Sequence, residues 1–236
     1  MQSKVKVLIL LFLVISLNNL YSLDVTAKEL EGYFRGEYTR GSDYLFELST
    51  IGTLELDNTY SFKSGVALGR TLVDTQLSFA TGVEYTPFDK LYGQFNLPLS
   101  FSAIYLYNGF FEYNTHVHSV LPFVSYNTDR AGLSLGTNFR FTRFFGEKAQ
   151  NESVFSFYCY YNFIKNDSFT LGIACGNFND FNAKNFGAFS YNLYAQLQVN
   201  DNWLVTNHIE LQQSGVDGLS ATFYGMAFRT GVKYSW

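Results

Sequence analysis

From about Leu30 to the end of the chain, apolar and polar residues alternate with a period of two, the repeat of strands that have one apolar face. Thr75–Tyr85 sets Leu77, Phe79, Val83 and Tyr85 against Gln76, Ser78, Ala80, Gly82 and Glu84. Ala131–Phe141 sets Leu133, Leu135, Phe139 and Phe141 against Gly132, Ser134, Gly136, Asn138 and Arg140. The same division runs through Phe189–Val199, with Tyr191, Leu193 and Leu197 opposite Asn192, Tyr194 and Gln196, and through Thr222–Trp236. Charge falls almost entirely on the second face.

Alternation alone leaves the sidedness open, because a soluble sandwich or lipocalin also alternates, with its apolar face turned inward. Three features decide it. The polar face is rich in Gly, Ala and Ser, which suits the crowded concave side of a barrel. Aromatic residues stand at strand ends (Tyr60, Tyr85, Tyr126, Phe169, Trp203, Tyr234 and Trp236), as in the aromatic bands of a bilayer interface. Connections alternate in length. Short turns are expected at Leu56–Thr59, Thr86–Asp89, Thr128–Arg130, Asn166–Ser168 and Asn200–Asn202, each with Asn, Asp or Pro chemistry for a tight reversal. Longer loops are expected near Arg40–Asp43, Leu72–Asp74, Asn108–Thr115, Gly146–Ser153, Asn179–Asn185 and Ser214–Ala221. The pattern predicts an all-β fold, a transmembrane antiparallel up-and-down β-barrel of about twelve strands, with ten or fourteen as alternatives. Both chain ends then fall on the short-turn side.

Composition sharpens this reading. The chain has 236 residues, 47% hydrophobic and 19% aromatic but only 15% charged, against roughly a quarter charged in an ordinary soluble domain. Mean hydropathy is nevertheless -0.02, so the apolar residues are interleaved and a helical membrane bundle is excluded. A net charge of -4 without a basic cluster gives no surface for nucleic acid. At the start, Lys4 and Lys6 precede an apolar run from Val7 to Leu17, then Asn18, Asn19 and Leu20-Tyr21-Ser22. That run is too short to span a bilayer, which needs roughly 20 residues, and reads as a secretory signal peptide over residues 1–22, with the barrel over 23–236.

The final stretch, Phe228-Arg229-Thr230-Gly231-Val232-Lys233-Tyr234-Ser235-Trp236, resembles the C-terminal assembly signal of bacterial outer-membrane β-barrel proteins. Trp236 supplies the terminal aromatic, and Tyr234, Val232 and Phe228 the alternating partners; Thr230 departs from the pattern. The resemblance implies a Gram-negative outer-membrane location, with the barrel-assembly machinery and outer-membrane lipid as partners. It identifies an architecture, not an activity.

For function, the inward face carries Glu31, Arg35, Glu37, Glu47, Lys63, Glu84, Arg140, Glu210, Arg229 and Lys233. Buried charges must be paired or hydrated, so the lumen is either a narrow aqueous channel or a salt-bridged plug. The favoured expectation is porin-like passive transfer of small polar or ionic solutes, with Lys63, Glu84, Arg140, Glu210 and Arg229 lining the pore. A closed barrel presenting surface loops as an adhesin or structural element is the second reading, and a lipid-modifying enzyme the third. Asn207-His208-Ile209-Glu210 superficially resembles the neighbourhood of the lipid A deacylases, but Glu210 stands where that family has its Ser nucleophile, so no catalytic residue and no cofactor is assigned. His116 and His118 share one face, without the further ligands a metal needs. Finally, if Lys165 faces Phe169 across the turn, Phe163 opposes Leu171, Tyr161 opposes Ile173 and Cys159 falls opposite Cys175, where a cross-strand disulfide is feasible in an oxidising periplasm.

Overall fold

The computed structural model describes residues 25–39, 44–56, 60–86, 99–144, 146–181, 188–214 and 222–236. Twelve strands follow one another in chain order: β1 Val25–Thr39, β2 Tyr44–Leu56, β3 Tyr60–Arg70, β4 Thr75–Tyr85, β5 Leu99–Phe110, β6 Thr115–Asn127, β7 Ala131–Arg143, β8 Gln150–Lys165, β9 Phe169–Gly176, β10 Phe189–Gln198, β11 Trp203–Ser214 and β12 Thr222–Ser235. Each pairs antiparallel with its neighbours, and β1 closes on β12 from Glu29↔Ser235 to Thr39↔Gly225. Closure removes every sheet edge, which a lipid environment demands because nothing there can satisfy unpaired backbone groups. The expected leader at residues 1–22 lies outside the described residues.

Side-chain exposure settles which face is which. On β6, Ser119, Leu121, Phe123 and Ser125 are buried, while Val120, Val124 and Tyr126 are more than 40% exposed or at that value. On β7, Leu133, Leu135, Phe139 and Phe141 are exposed and Asn138 is fully buried. Apolar side chains therefore point outward, the inverse of a soluble fold, and the surface they form needs a hydrocarbon solvent. Where strands meet the turns, outward aromatics meet: Tyr60 stacks on Tyr85 with ring centres 4.9 Å apart, and Trp203 lies tilted against Tyr234 at 4.7 Å.

The start of β1 and the end of β12 share one rim with the connections β2–β3, β4–β5, β6–β7, β8–β9 and β10–β11. Three of these are tight for the expected reason. Asn166 Oδ1 accepts hydrogen bonds from the amides of Ser168 and Phe169, Asn200 Oδ1 does the same for Asn202 and Trp203, and the Thr128 hydroxyl holds the Ala131 amide. The turn expected at Leu56–Thr59 falls largely outside the described residues. The turn expected at Thr86–Asp89 likewise falls largely outside the described residues.

On the other rim the loop expected at Leu72–Asp74 stands as residues 71–74, while those expected at Asn108–Thr115 and Gly146–Ser153 are shorter than the sequence suggests. The β3–β4 reversal closes with Thr71 donating to the Asp74 carbonyl at 2.8 Å. Strand β5 runs on to Phe110, and Asn114, at φ 45°, lets the chain reverse within 111–114. Strand β8 already starts at Gln150. The first two reversals are tied together: the Glu112 carboxylate accepts from the Thr75 amide at 2.6 Å and meets Arg70 at 2.7 Å, while the Glu112 amide donates to Asp74 Oδ1 at 3.0 Å. The Thr75 amide first, then the contacts with Asp74 and Arg70, hold the Glu112 carboxyl down to about 2. A depressed folded pKa adds stability above the unfolded value, so this tie should be intact above the ordinary carboxylate range and fail only as pH falls through about 2. A carboxyl chemical-shift titration of Glu112 midway near 4.5 would contradict it.

A further prediction concerns orientation. With long loops outside and turns in the periplasm, a cysteine at Tyr113 should react with an impermeant maleimide on intact cells, in a background lacking Cys159 and Cys175, and one at Asp201 should not. Labelling at Asp201 would invert the barrel.

Candidate functional site in the barrel lumen

The β9–β10 connection enters the barrel. Asn177, fully buried, anchors it: its Oδ1 accepts from the Phe157 amide at 2.9 Å, its Nδ2 donates to the Phe155 carbonyl at 2.8 Å, and its own amide donates to the Phe157 carbonyl. From this fixed point Phe178 stacks on Phe123, ring centres 4.3 Å apart, and lies against Tyr158. Phe181 is buried in an apolar belt made by inward residues of six strands, among them Tyr33, Ile51, Ala67, Ala80, Leu106 and Phe123. The belt sits across the lumen from β9, so residues 177–181 cross the interior.

Between the two rings, Asp180 pairs with Arg229 Nη2 at 3.0 Å, and the Arg229 guanidinium lies 3.6 Å above the ring centre of Tyr33. Two small positions make this assembly fit. A Cβ on Gly231 would come within 2.2 Å of the Tyr33 ring, and one on Gly65 would meet the Phe181 ring at 3.0 Å and the Thr50 carbonyl at 2.7 Å. Small residues on the inner face thus make room for the crossing segment.

The structure distributes the charges assigned to the lumen into distinct groups. Arg35 lies between Glu37, at 2.7 Å, and Glu210, at 3.1 Å, and Glu210 also accepts from the Ser190 hydroxyl. Arg140 pairs with Glu152 at 2.7 Å, and Lys233 with Glu29 at 2.7 Å. Lys63 and Glu84 are brought together on the turn side of the crossing segment, where they line a cavity of about 110 Å³ that includes Asp180 and Ser102. Arg229, expected to line a pore, faces inward and holds the segment that crosses the lumen. His208 faces inward beside Glu210, as expected from strand parity, and is within 3.3 Å of Asn192 Nδ2.

The other singled-out residues lie on the outer face. His116 and His118 stand beside a short reversal, not the long loop expected, and their Nδ1 atoms are 2.9 and 2.8 Å from the hydroxyls of Tyr107 and Tyr105. Cys159 pairs with Cys175 in register, and both are free thiols. The pairs nearer the turn differ from expectation. Lys165 faces Thr170 and Ile164 faces Leu171, because a bulge at Phe163 shifts the ladder by one residue between the turn and Asn162↔Gly172. Directly opposed strand positions strain a disulfide, so both thiols should alkylate once the protein is unfolded without reductant. Recovery of unmodified, bridged protein would show that they oxidise. Phe228 and Val232 are exposed on the outer face, Tyr234 stacks on Trp236 at 5.4 Å, and the Trp236 amide donates to the Lys28 carbonyl, so the terminal strand forms the seam with β1.

The sequence matches no family model and no curated protein. Solved structures do match over nearly the whole chain. The KdgM porin in complex with disordered oligogalacturonate is 13% identical with a TM-score of 0.54, covering 87% of this chain and 99% of its own. The NanC porin is likewise 13% identical at a TM-score of 0.54, covering 86% and 98%. The COG4313 outer membrane channel from Pseudomonas putida F1 is 11% identical at 0.53, covering 90% and 96%. At such identities the likeness is one of fold. The fold is a closed antiparallel β-barrel of twelve strands, the architecture class of these outer-membrane porins and channels.

Proposed function

We propose that this barrel is a narrow diffusion channel for small polar or ionic solutes, with the segment at 177–181 setting its size limit. The observation that carries this reading is the arrangement of charge along the lumen. Ionisable side chains line the interior on both sides of the crossing segment, with Arg35, Glu37 and Glu210 toward the loops and Lys63, Glu84 and Glu29 toward the turns. Charges within a low-dielectric wall are tolerable only when paired or wet, and Glu84 and Lys63 border a cavity. The porin and channel neighbours support the reading at the level of fold.

One observation favours a second reading, a closed barrel presenting its loops: Phe181 and the belt around it are buried together as an apolar cluster inside the barrel. Recording on refolded protein in planar bilayers separates the two. Discrete conductance steps are expected; a silent, correctly folded barrel would overturn the channel and leave the closed one. In either case the Phe228–Trp236 strand is proposed to be what the assembly machinery reads, and outer-membrane lipid the solvent of the outer face. Replacing Trp236 by alanine should then lower the yield of assembled barrel in cells while leaving refolding in detergent intact.

A further inference from the structure

The lumen has a sign. Five inward cations of the described strands are held in ion pairs: Arg229 with Asp180, Arg140 with Glu152, Lys233 with Glu29, Lys165 with Asp129, and Arg35 with two carboxylates, Glu37 and Glu210. Each positive charge in these groups is therefore matched, and that of Arg35 is exceeded. Beyond these groups the inner face of the described strands bears the cation Lys63 and the carboxylates Glu31, Glu47 and Glu84. Their inward direction follows from strand parity: the alternate positions Leu30, Phe46, Leu48, Phe62 and Val83 are the exposed, lipid-facing ones.

Position matters as much as number. Glu47 lies opposite Arg35, on the loop side of the belt, and Glu84 lies near the turn-side end of β4, across the ladder from Ser61. An ion approaching from either rim meets carboxylate before it meets the crossing segment. Inside the segment's own contact, the Asp180 carboxylate pairs with Arg229, so the positive charge held there is matched. Fixed charge along a water-filled passage raises the local concentration of ions of opposite sign, and the low-dielectric wall weakens screening.

Resting on the channel reading, we infer that the solutes this barrel favours are small cations, alkali ions and solutes bearing an ammonium group, over anions of the same size. The direct test is the reversal potential of refolded wild-type protein across a potassium chloride gradient, with liposome swelling in lysine against glutamate as the second readout. The expected results are a reversal potential displaced toward that of potassium and faster swelling in lysine. Glu47→Gln combined with Glu84→Gln should move the reversal potential toward zero, whereas Lys63→Gln should move it further toward potassium. The Glu→Gln changes are near-isosteric, Lys63→Gln removes the charge with a shorter polar side chain, and heat-modifiable migration in gels verifies that all the barrels are closed. Conductance steps with a reversal potential at zero or displaced toward chloride would overturn the cation preference and leave the channel standing. No steps at all would overturn the channel, and the preference with it.

Discussion

Replacing Phe178 and Phe181 together by alanine is expected to raise the unit conductance severalfold while the barrel stays closed. The two rings are what fixes the crossing segment against the far wall, one stacked on Phe123 and the other buried in the belt. Truncating a packed Phe to Ala costs about 3–5 kcal/mol, and here that loss falls on the attachment of a loop. The strand ladder is untouched by it, since all twelve pairings are made by other residues. What would remain is the Asn177 anchor at the base, which leaves the segment attached but not held across the lumen, and the Asp180–Arg229 pair. A lone pair that becomes hydrated is worth about 0–1 kcal/mol, too little to hold the segment in place. Gly65→Val should act in the same direction from the wall side, by occupying the space of the Phe181 ring. Conductance unchanged by both substitutions would mean that residues 177–181 do not control passage.

Much of the barrel was legible because period-two alternation is a local property. Strand parity assigned Glu84, Arg140, Glu210 and Lys63 to the inside from their immediate neighbours alone, and register counted from the Asn166 turn placed Cys159 opposite Cys175. It did so across a bulge it had no means of seeing: the count misses at Phe163 and Lys165, and the bulge lies on the turn side of the cysteine pair. Where one more residue opposes the partner strand, spacing in the sequence no longer measures height in the sheet.

The crossing segment was not legible, for a different reason. Asn177–Phe181 has the Asn, Asp and Phe content of an ordinary exposed loop, and whether such a loop folds inward depends on the surface it finds there. That surface is assembled from β1 through β6, far away in sequence. A signal did exist. In Val120-Leu121-Pro122-Phe123-Val124 and in Ile104-Tyr105-Leu106 alternation gives way to apolar residues on both faces. An inward Leu or Phe in a barrel must be covered by something other than lipid, so these runs announce a plug without saying which segment supplies it. Arg229 shows the same limit. Parity put it inside, but could not show its partnership with Asp180, 49 residues away, through which it holds the crossing segment.

The outer surface yields the other large effect, and it separates this fold from a soluble one. Leu135 lies close to the middle of β7, 43% exposed, with Val124 and Phe157 beside it on the same outward face. Leu135→Arg would put a guanidinium among hydrocarbon chains, at about 2–4 kcal/mol near the bilayer midplane. Ser134, the next residue, faces the lumen and shares a hydrogen bond of 2.8 Å with Ser125. An arginine there loses that modest bond but can carry its charge along the lumen toward the turn-side water, so its cost should be far smaller. In a soluble sandwich the ranking would reverse in kind: a position 43% exposed would accept arginine readily and the inward serine would not. Urea unfolding in lipid vesicles measures both. Leu135→Arg should lower the folding free energy by the larger amount and Ser134→Arg should stay close to wild type in stability; equal losses at the two sites would mean that the exposed apolar face is not in contact with lipid.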